Sequence, residues 1–226
     1  MTTEKTAWVA GASGLVGGAL LTRLLDDAQW ARVVSFGRRP VDRTHPRLTQ
    51  ITVDFARFDA QGAPAPTAAF CTLGTTIKKA GSREAFRAVD YDAVMAFATA
   101  ARAAGATDFH VVTALGAKKG SWVFYNHVKG EVEAALATLG FDHLVVYQPS
   151  LLLGDRAERR PGERAAIVVS EALAPVLRPF ASRPIHADTV AAAVAATALA
   201  PPPGVTTLPS GRLHDIAAQG GTSAVR

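Results

Sequence analysis

The 226-residue sequence predicts an α/β fold, in which a doubly wound, mostly parallel sheet carries helices on both faces. Short runs rich in apolar residues alternate along the chain with longer stretches of helical periodicity. Several short runs are apolar almost throughout, as at 109–112 and 144–147, which is typical of strands covered on both faces. A glycine-rich turn also joins the first apolar run to the first helical stretch. Together these features favour parallel strands connected by helices.

The first 150 residues contain the clearest elements. We expect strands at 6–10, 32–36, 48–53, 68–73, 108–113 and 143–147. We expect helices at 15–27, 82–104 and 125–139. Ser82 is a favourable N-cap residue for the second of these helices, and Gly105 and Gly140 stand where glycine commonly ends a helix.

After Pro149 the pattern is less regular. A charged loop is expected at 156–164, and helices at 165–177 and 189–199. The length suits a single core, so we expect one domain spanning 1–226. Within it, residues 151–218 are expected to supply a small C-terminal cap on the substrate side of the sheet, and 219–226 a flexible tail.

Composition argues against several classes of protein. The formal net charge is +5, but the basic pairs are scattered and aromatic residues make up only 7%, so we predict no nucleic-acid partner. The apolar stretch 190–200 is too short to span a membrane. The single cysteine, Cys71, lies in an apolar run and is expected to be a buried, unreactive thiol. No histidine or cysteine spacing suggests a metal site, so we predict none. No signal-like segment precedes the first strand, so we expect a cytoplasmic location.

Gly11, Gly14 and Gly17 stand three residues apart between the first strand and the first helix. The first amides of a helix have no partners within it, and the helix dipole adds positive potential, so such an end binds anions. Glycine lets the backbone turn tightly and approach a pyrophosphate closely. The spacing therefore indicates a dinucleotide-binding turn, with a turn that only packs helix on strand as the alternative.

The second strand runs into Gly37, Arg38 and Arg39. In a doubly wound nucleotide fold this position meets the adenosine ribose, where an acidic residue would favour the 2′-hydroxyl of NAD. An arginine holds phosphate through its planar fork. The sequence thus predicts Arg38 and Arg39 as cofactor-binding residues and a preference for NADP(H), with NAD(H) as the second choice. The alternative is a pair of solvated surface arginines.

Other candidate residues follow the next two strands. Asp54 comes after the third strand and can accept a hydrogen bond from the adenine amino group. Leu73, Gly74 and Thr75 follow the fourth strand, at the carboxyl edge of the sheet, where ligands bind in such folds. All four are predicted to contact the cofactor.

Tyr125 and Lys129 form the candidate chemical pair. Residues four apart on a helix share a face, so the lysine ammonium is expected beside the phenol. That charge would stabilise the phenolate and lower the pKa of Tyr125 from its usual value near 10. Such a tyrosine can donate a proton to a carbonyl oxygen, or accept one from an alcohol in the reverse direction. An ordinary pair on a helix surface is the alternative.

These motifs together resemble the short-chain dehydrogenases/reductases. The glycine turn, Tyr125-x-x-x-Lys129 and the segment 148–150 occur in the order found in that superfamily. Within it, the chain resembles an atypical branch, the Tat-interacting oxidoreductase-like group. The resembling segments are 71–76, 79–81, 128–133, 160–163 and 214–215.

The resemblance implies a Rossmann-type fold, NADP(H) binding and redox chemistry on a carbonyl or hydroxyl group. It makes Tyr125 the general acid/base, and it gives Lys129 two roles, tuning that tyrosine and binding the nicotinamide ribose. It also adds Ser13, Leu15 and Val16 to the pyrophosphate cradle and Gln148 to the cofactor-binding residues.

One position departs from the family pattern. Where the group has a pair of serines after the fifth strand, this chain has Thr113 and Ala114. Thr113 can supply a hydroxyl that orients the substrate oxygen, and we count it as a catalytic candidate, whereas Ala114 cannot.

The function predicted from the sequence is therefore an NADP(H)-dependent oxidoreductase acting on a small carbonyl or alcohol. Two alternatives stay open: a non-catalytic NADP(H)-binding redox regulator, and an enzyme like the nucleotide-sugar epimerases and dehydratases. A protein partner and a homo-oligomer also stay open.

Overall fold

The structure, a computed structural model, describes residues 4–153 and 183–223, without the side chains of 221–223. The strands are β1 (Lys5–Ala10), β2 (Trp30–Gly37), β3 (Leu48–Thr52), β4 (Ala68–Cys71), β5 (Asp108–Val112), β6 (His143–Gln148), β7 (Leu152–Leu153), β8 (Ile185–His186) and β9 (Gly204–Pro209). The helices are α1 (Leu15–Asp26), α2 (Ile77–Ala80), α3 (Arg83–Arg87), α4 (Ala93–Ala103), α5 (Phe124–Leu136), α6 (Ala187–Leu199) and α7 (Ser210–Ser223).

Seven of these strands form one parallel sheet in the order β3-β2-β1-β4-β5-β6-β9. The chain passes from β1 outward through β2 and β3, and then returns to the other side of β1 at β4. The two halves of the sheet therefore diverge between β1 and β4, and ligands of such folds bind outside the carboxyl ends of the strands at this switch point. The predicted Rossmann-type fold class is confirmed.

The core consists of two apolar layers, one on each face of the sheet. Phe70 faces the layer built with α1 and α6, whereas Trp8 and Phe109 face the layer built with α4 and α5. Fully burying a leucine or phenylalanine side chain stabilises a fold by about 1.5–3 kcal/mol. Because both layers are filled in this way, the carboxyl ends of the strands are held at fixed positions, where the candidate site lies.

The six strands expected in the first 150 residues are all present, as are the three helices. The helix expected at 82–104 is a continuous stretch in three parts, α3, a π-helical segment at Ala88–Asp92 and α4. Sequence reasoning missed β9, which follows three prolines and has its own proline at its end. Pro209 is tolerated there because β9 is an edge strand.

The described part of the region predicted to be a cap includes elements that belong to the main sheet and its helices. Within the described part of 151–218, α6 packs on α1 and β9 extends the central sheet, so these elements belong to the main body. The tail predicted at 219–226 is helical as far as Ser223, in α7, which packs on α6 and buries Leu213. This packing overrides the weak local preference of a glycine- and serine-rich segment. The loop expected at 156–164 and the helix at 165–177 lie outside the described residues.

Candidate active site

The glycine turn between β1 and α1 has the geometry of a close-approach turn. Gly11 has a φ of +94°, a conformation that favours glycine, and its carbonyl accepts a hydrogen bond of 2.9 Å from the Gly14 amide. A Cβ at Gly17 would collide with the Gly11 carbonyl oxygen. Gly14 is the N-cap of α1 and it is exposed, as is Ser13. Val16 is buried in the core, so only its backbone faces the helix end.

Thr72 supports this turn from the next strand. Its hydroxyl donates to the Ala10 carbonyl at 3.1 Å, and its amide donates to the same oxygen at 2.9 Å. A Cβ at Gly11 would lie 2.6 Å from the Thr72 Oγ1 and a Cβ at Gly17 2.5 Å from it. The first and third glycines are therefore required by packing against Thr72 and against each other.

Arg38 and Arg39 lie at the carboxyl end of β2, and both are exposed. Within the described residues, neither guanidinium takes part in a hydrogen bond or an ion pair with another side chain. Asp54 lies beyond the end of β3 and is also exposed, and its carboxylate accepts a 3.0 Å hydrogen bond from the Ala56 amide. That bond caps the short 3-10 helix Phe55–Arg57 and gives Asp54 a local structural role.

Leu73, Gly74 and Thr75 bring the end of β4 towards a buried carboxylate. The Thr75 amide donates to Asp90 Oδ2 at 2.9 Å. A Cβ at Gly74 would lie 3.4 Å from Asp90 Oδ1 and 3.6 Å from Lys129 Nζ. This loop thus connects the glycine turn, through Thr72, to Lys129 of α5.

Lys129 makes a buried ion pair with Asp90, which lies in the π-helical segment. Lys129 Nζ is 2.7 Å from Asp90 Oδ1, and both side chains are at most 4% exposed. Burial lowers the pKa of Lys129, but Asp90, Tyr125 and Cys71 together outweigh that effect and raise it above its ordinary value. Lys129 is therefore charged and paired.

Tyr125 is partly buried one helical turn before Lys129, with its ring centroid 5.3 Å from that of Phe86. Burial raises the pKa of Tyr125, Lys129 lowers it, and Asp90 raises it again, so the net direction is upward. The lowered phenol pKa expected from sequence is wrong for this structure. The main reason is burial of the phenol, and Asp90, which helical spacing does not reveal, also opposes the effect of Lys129.

Thr113 and Gln148, at the ends of β5 and β6, both bond to Glu133. The Thr113 hydroxyl donates to Glu133 Oε1 at 2.5 Å, and Gln148 Nε2 lies 3.0 Å from each carboxylate oxygen. Burial raises the pKa of Glu133, although the hydrogen bonds from Thr113 and Gln148 oppose the rise. A hydroxyl has one proton, so Thr113 in this arrangement has none to offer a substrate oxygen.

Sequence reasoning missed three residues of this region: Thr72, Asp90 and Glu133. A signal existed for two of them. Asp90 stands four residues after Phe86 and seven before Phe97, in the buried stripe of its helix, where a carboxylate needs a partner. Glu133 stands four residues after Lys129, on the face already assigned to chemistry.

Cys71 is buried at the end of β4, and burial raises the pKa of its thiol to about 12, as expected for an unreactive side chain. In the part of the chain that the structure describes, no three histidine, cysteine or carboxylate side chains are grouped to hold a metal. None of the helices in 4–153 and 183–223 has the length and apolar character needed to cross a membrane.

This fold and these residues define a protein of the short-chain dehydrogenase/reductase class, and comparison with known sequences identifies the family. No family model matches the chain. The rat protein HTATIP2 is 41% identical over 166 residues, which cover 71% of this chain and 68% of the rat protein. The mitochondrial protein fmp52 of Aspergillus fumigatus is 36% identical over 163 residues, 69% of this chain and 70% of that one. The chain belongs to the family of HTATIP2.

Solved structures share the fold at low identity. A short-chain dehydrogenase from Burkholderia cenocepacia in complex with NADP has a TM-score of 0.65 and 17% identity, covering 99% of this chain and 94% of that one. A UDP-N-acetylglucosamine 4-epimerase from Methanobrevibacter ruminantium has a TM-score of 0.68 and 16% identity, covering 91% and 76%. Other structures with this fold, MoeE5 and WbmF, were solved with NAD.

The comparisons correct one expectation. The sequence suggested a cytoplasmic location, but several fungal relatives of 31–36% identity are named as mitochondrial proteins. The cytoplasmic assignment is therefore wrong as a deduction from this sequence, because it relied only on the lack of a recognisable targeting segment.

Proposed function

We propose that the protein is an NADP(H)-dependent oxidoreductase that interconverts a small carbonyl compound and its alcohol. The observation that carries this proposal is the segment 72–75, which connects two halves of one site. At one end Thr72 packs against Gly11 and Gly17, and at the other Gly74 lies against Lys129 and Asp90. This segment therefore connects the glycine turn, which would hold the diphosphate of a dinucleotide, to Lys129, which would serve its reactive end.

The residues at the turn fit a pyrophosphate. Gly11 and Gly17 leave no room for side chains, and the first amides of α1 are without helical partners. The positive end of the helix dipole favours a diphosphate there. Ser13, Gly14 and Leu15 are the neighbouring positions that would complete the cradle.

The bound cofactor would supply a hydride to the carbonyl carbon in the reductive direction. The electron pair of the carbonyl π bond then moves to the oxygen, and that oxygen takes the proton of the Tyr125 hydroxyl. The phenolate left behind regains a proton from water. Lys129 carries its charge near the Tyr125 hydroxyl and would also bind the nicotinamide ribose. Asp90 keeps the ammonium of Lys129 in place through the 2.7 Å ion pair.

The preference for NADP(H) over NAD(H) rests on Arg38 and Arg39, whose exposed guanidinium groups follow β2. Calorimetry should give a lower dissociation constant for NADPH than for NADH. Arg38→Ala should weaken NADPH binding by about tenfold or more, because a charge-assisted hydrogen bond contributes about 1.5–3 kcal/mol. Binding of NADH should change little.

Arg32→Ala is the matched control, since Arg32 is an exposed arginine near the other end of the same strand. It should leave both dissociation constants unchanged. Equal affinity of the unaltered protein for NADH and NADPH would contradict the proposed preference.

Turnover is tested with NADPH and a panel of aldehydes and ketones. Tyr125→Phe should lower kcat by about 10²–10⁴-fold and leave the dissociation constant of NADPH unchanged, because it removes only the transferred proton. Tyr91→Phe serves as the control, since Tyr91 stacks under Arg87 on another helix. A Tyr125→Phe variant as fast as the unaltered protein would refute the assigned role.

A second candidate function is a regulator that binds NADP(H) without turnover and signals through a protein partner. It is favoured by Ala114, which has no hydroxyl, and by the engagement of the Thr113 hydroxyl with Glu133. Tight NADPH binding, no turnover across the panel and no effect of Tyr125→Phe would support it.

A further inference from the structure

Asp90 is a buried carboxylate held by two other elements of the fold. It is 0% exposed and lies in the π-helical segment Ala88–Asp92 between α3 and α4. Oδ2 accepts from the Thr75 amide after β4, and Oδ1 pairs with Lys129 of α5. A π-helical turn inside an α-helix often marks a functional position.

The charged and titratable groups around this carboxylate come from two elements. Lys129, Tyr125 and Glu133 lie on α5, and Cys71 ends β4. Lys129 interacts electrostatically with all of the others, and Asp90 interacts with Lys129, Tyr125 and Cys71. Cys71 remains a neutral thiol, so Lys129 and Asp90 are the charged groups that act on Tyr125, in addition to the burial of its phenol.

We propose that Asp90 is a positioning residue that holds Lys129 and offsets its charge, so that Tyr125 stays a neutral phenol and acts mainly as a proton donor. This inference rests on the proposed function, since it assigns the site a preferred role in carbonyl reduction. An unpaired ammonium beside the phenol would stabilise the phenolate, the form that takes a proton from an alcohol. With Asp90 in place, the site instead keeps the protonated form available over the neutral range.

Asp90→Asn tests this step, because asparagine has nearly the same shape and can still accept from the Thr75 amide. The near-ultraviolet absorbance of phenolate is titrated in each protein, and the signal of the matching Tyr125→Phe variant is subtracted. The midpoint of Tyr125 should fall by about 1–3 pH units in Asp90→Asn. Asp92→Asn, at an exposed carboxylate two residues away, should leave it unchanged. An unchanged midpoint in a folded Asp90→Asn protein would overturn the proposal.

A second variant covers the case in which Asp90→Asn does not fold, since leaving a buried charge unpaired is costly. The double variant Asp90→Asn with Lys129→Gln removes both charges. If the charges of Asp90 and Lys129 cancel in their effect on Tyr125, the Tyr125 midpoint in the double variant should stay close to that of the unaltered protein. A rise of about one pH unit or more would mean that Lys129 acts on Tyr125 without being offset, and the proposal would fail.

The titration needs neither cofactor nor substrate, so its outcome is separate from that of the proposed function. Where turnover is found, the alkaline limb of the reduction profile should move to lower pH in Asp90→Asn by the same amount as the phenol midpoint. If the Tyr125 midpoint shifts as expected in Asp90→Asn but NADPH does not bind, Asp90 is still the residue that controls the protonation of Tyr125. That outcome would reject only the proposed oxidoreductase function.

Discussion

The packing of the glycine turn can be tested with two adjacent glycines of the same helix. Gly17 is buried and Gly18 is half-buried, and both lie in the first turns of α1. A Cβ at Gly17 would collide with the Gly11 carbonyl oxygen and lie 2.5 Å from the Thr72 hydroxyl oxygen, whereas the nearest atom to a Cβ at Gly18 is the Ala12 carbonyl oxygen at 3.4 Å. The two alanine substitutions are therefore chemically identical and differ only in their surroundings.

The expected free energies follow from that difference. Gly18→Ala should raise the free energy of unfolding by about 0.5–1 kcal/mol, since alanine is favoured over glycine inside a helix. Gly17→Ala should lower it by about 1–3 kcal/mol, the usual cost of overpacking, because α1 must move away from the backbone of the turn. The two variants should thus differ by about 1.5–4 kcal/mol.

Urea unfolding of both variants and of the unaltered protein measures these values, and calorimetry with NADPH measures the consequence for binding. Moving α1 displaces its first amides from the diphosphate, so Gly17→Ala should weaken NADPH binding by about tenfold or more. Gly18→Ala should bind as the unaltered protein does. Equal stabilities of the two variants would refute the packing argument, and a destabilised Gly17→Ala with normal NADPH affinity would refute the role of the turn in binding.

Three further predictions concern buried or missing polar groups. Burial lowers the pKa of His110 from 6.5 to about 3. The free energy of unfolding should therefore fall as the pH drops below 6.5, by about 3 kcal/mol near pH 4. Urea unfolding of His110→Gln should lack that part of the decrease. Burial raises the pKa of Glu133 above 4.5, so the free energy of unfolding should fall as the pH rises from that value. Glu133→Gln should abolish this dependence on pH. Ala114→Ser should raise kcat for carbonyl reduction by about tenfold or more, whereas Ala117→Ser in the same loop should not.

Local patterns in the sequence predicted those parts of the site that depend only on residues close together along the chain. The glycine turn follows from residue spacing, and the pairing of Tyr125 with Lys129 follows from helical periodicity. Asp90 could not be assigned in this way, because its partners lie 15 and 39 residues away, on a loop and on another helix. The expected direction of the Tyr125 pKa was wrong for a related reason, since that pKa depends first on burial of the phenol and then on Asp90, and both arise only when several elements pack together.

The same dependence bears on whether the site turns over. Removing one donor to a developing oxyanion typically costs about 10²–10³ in rate, which is a small part of a typical enzymatic acceleration. The phenol of Tyr125 is itself such a donor, and burial keeps it protonated, while Asp90 opposes the effect of Lys129. A site with Ala114 in place of a hydroxyl therefore keeps its main proton source and loses only an auxiliary contact. If the proposed oxidoreductase function holds, the missing hydroxyl should therefore slow turnover rather than abolish it, and the protonated phenol should favour the reductive direction.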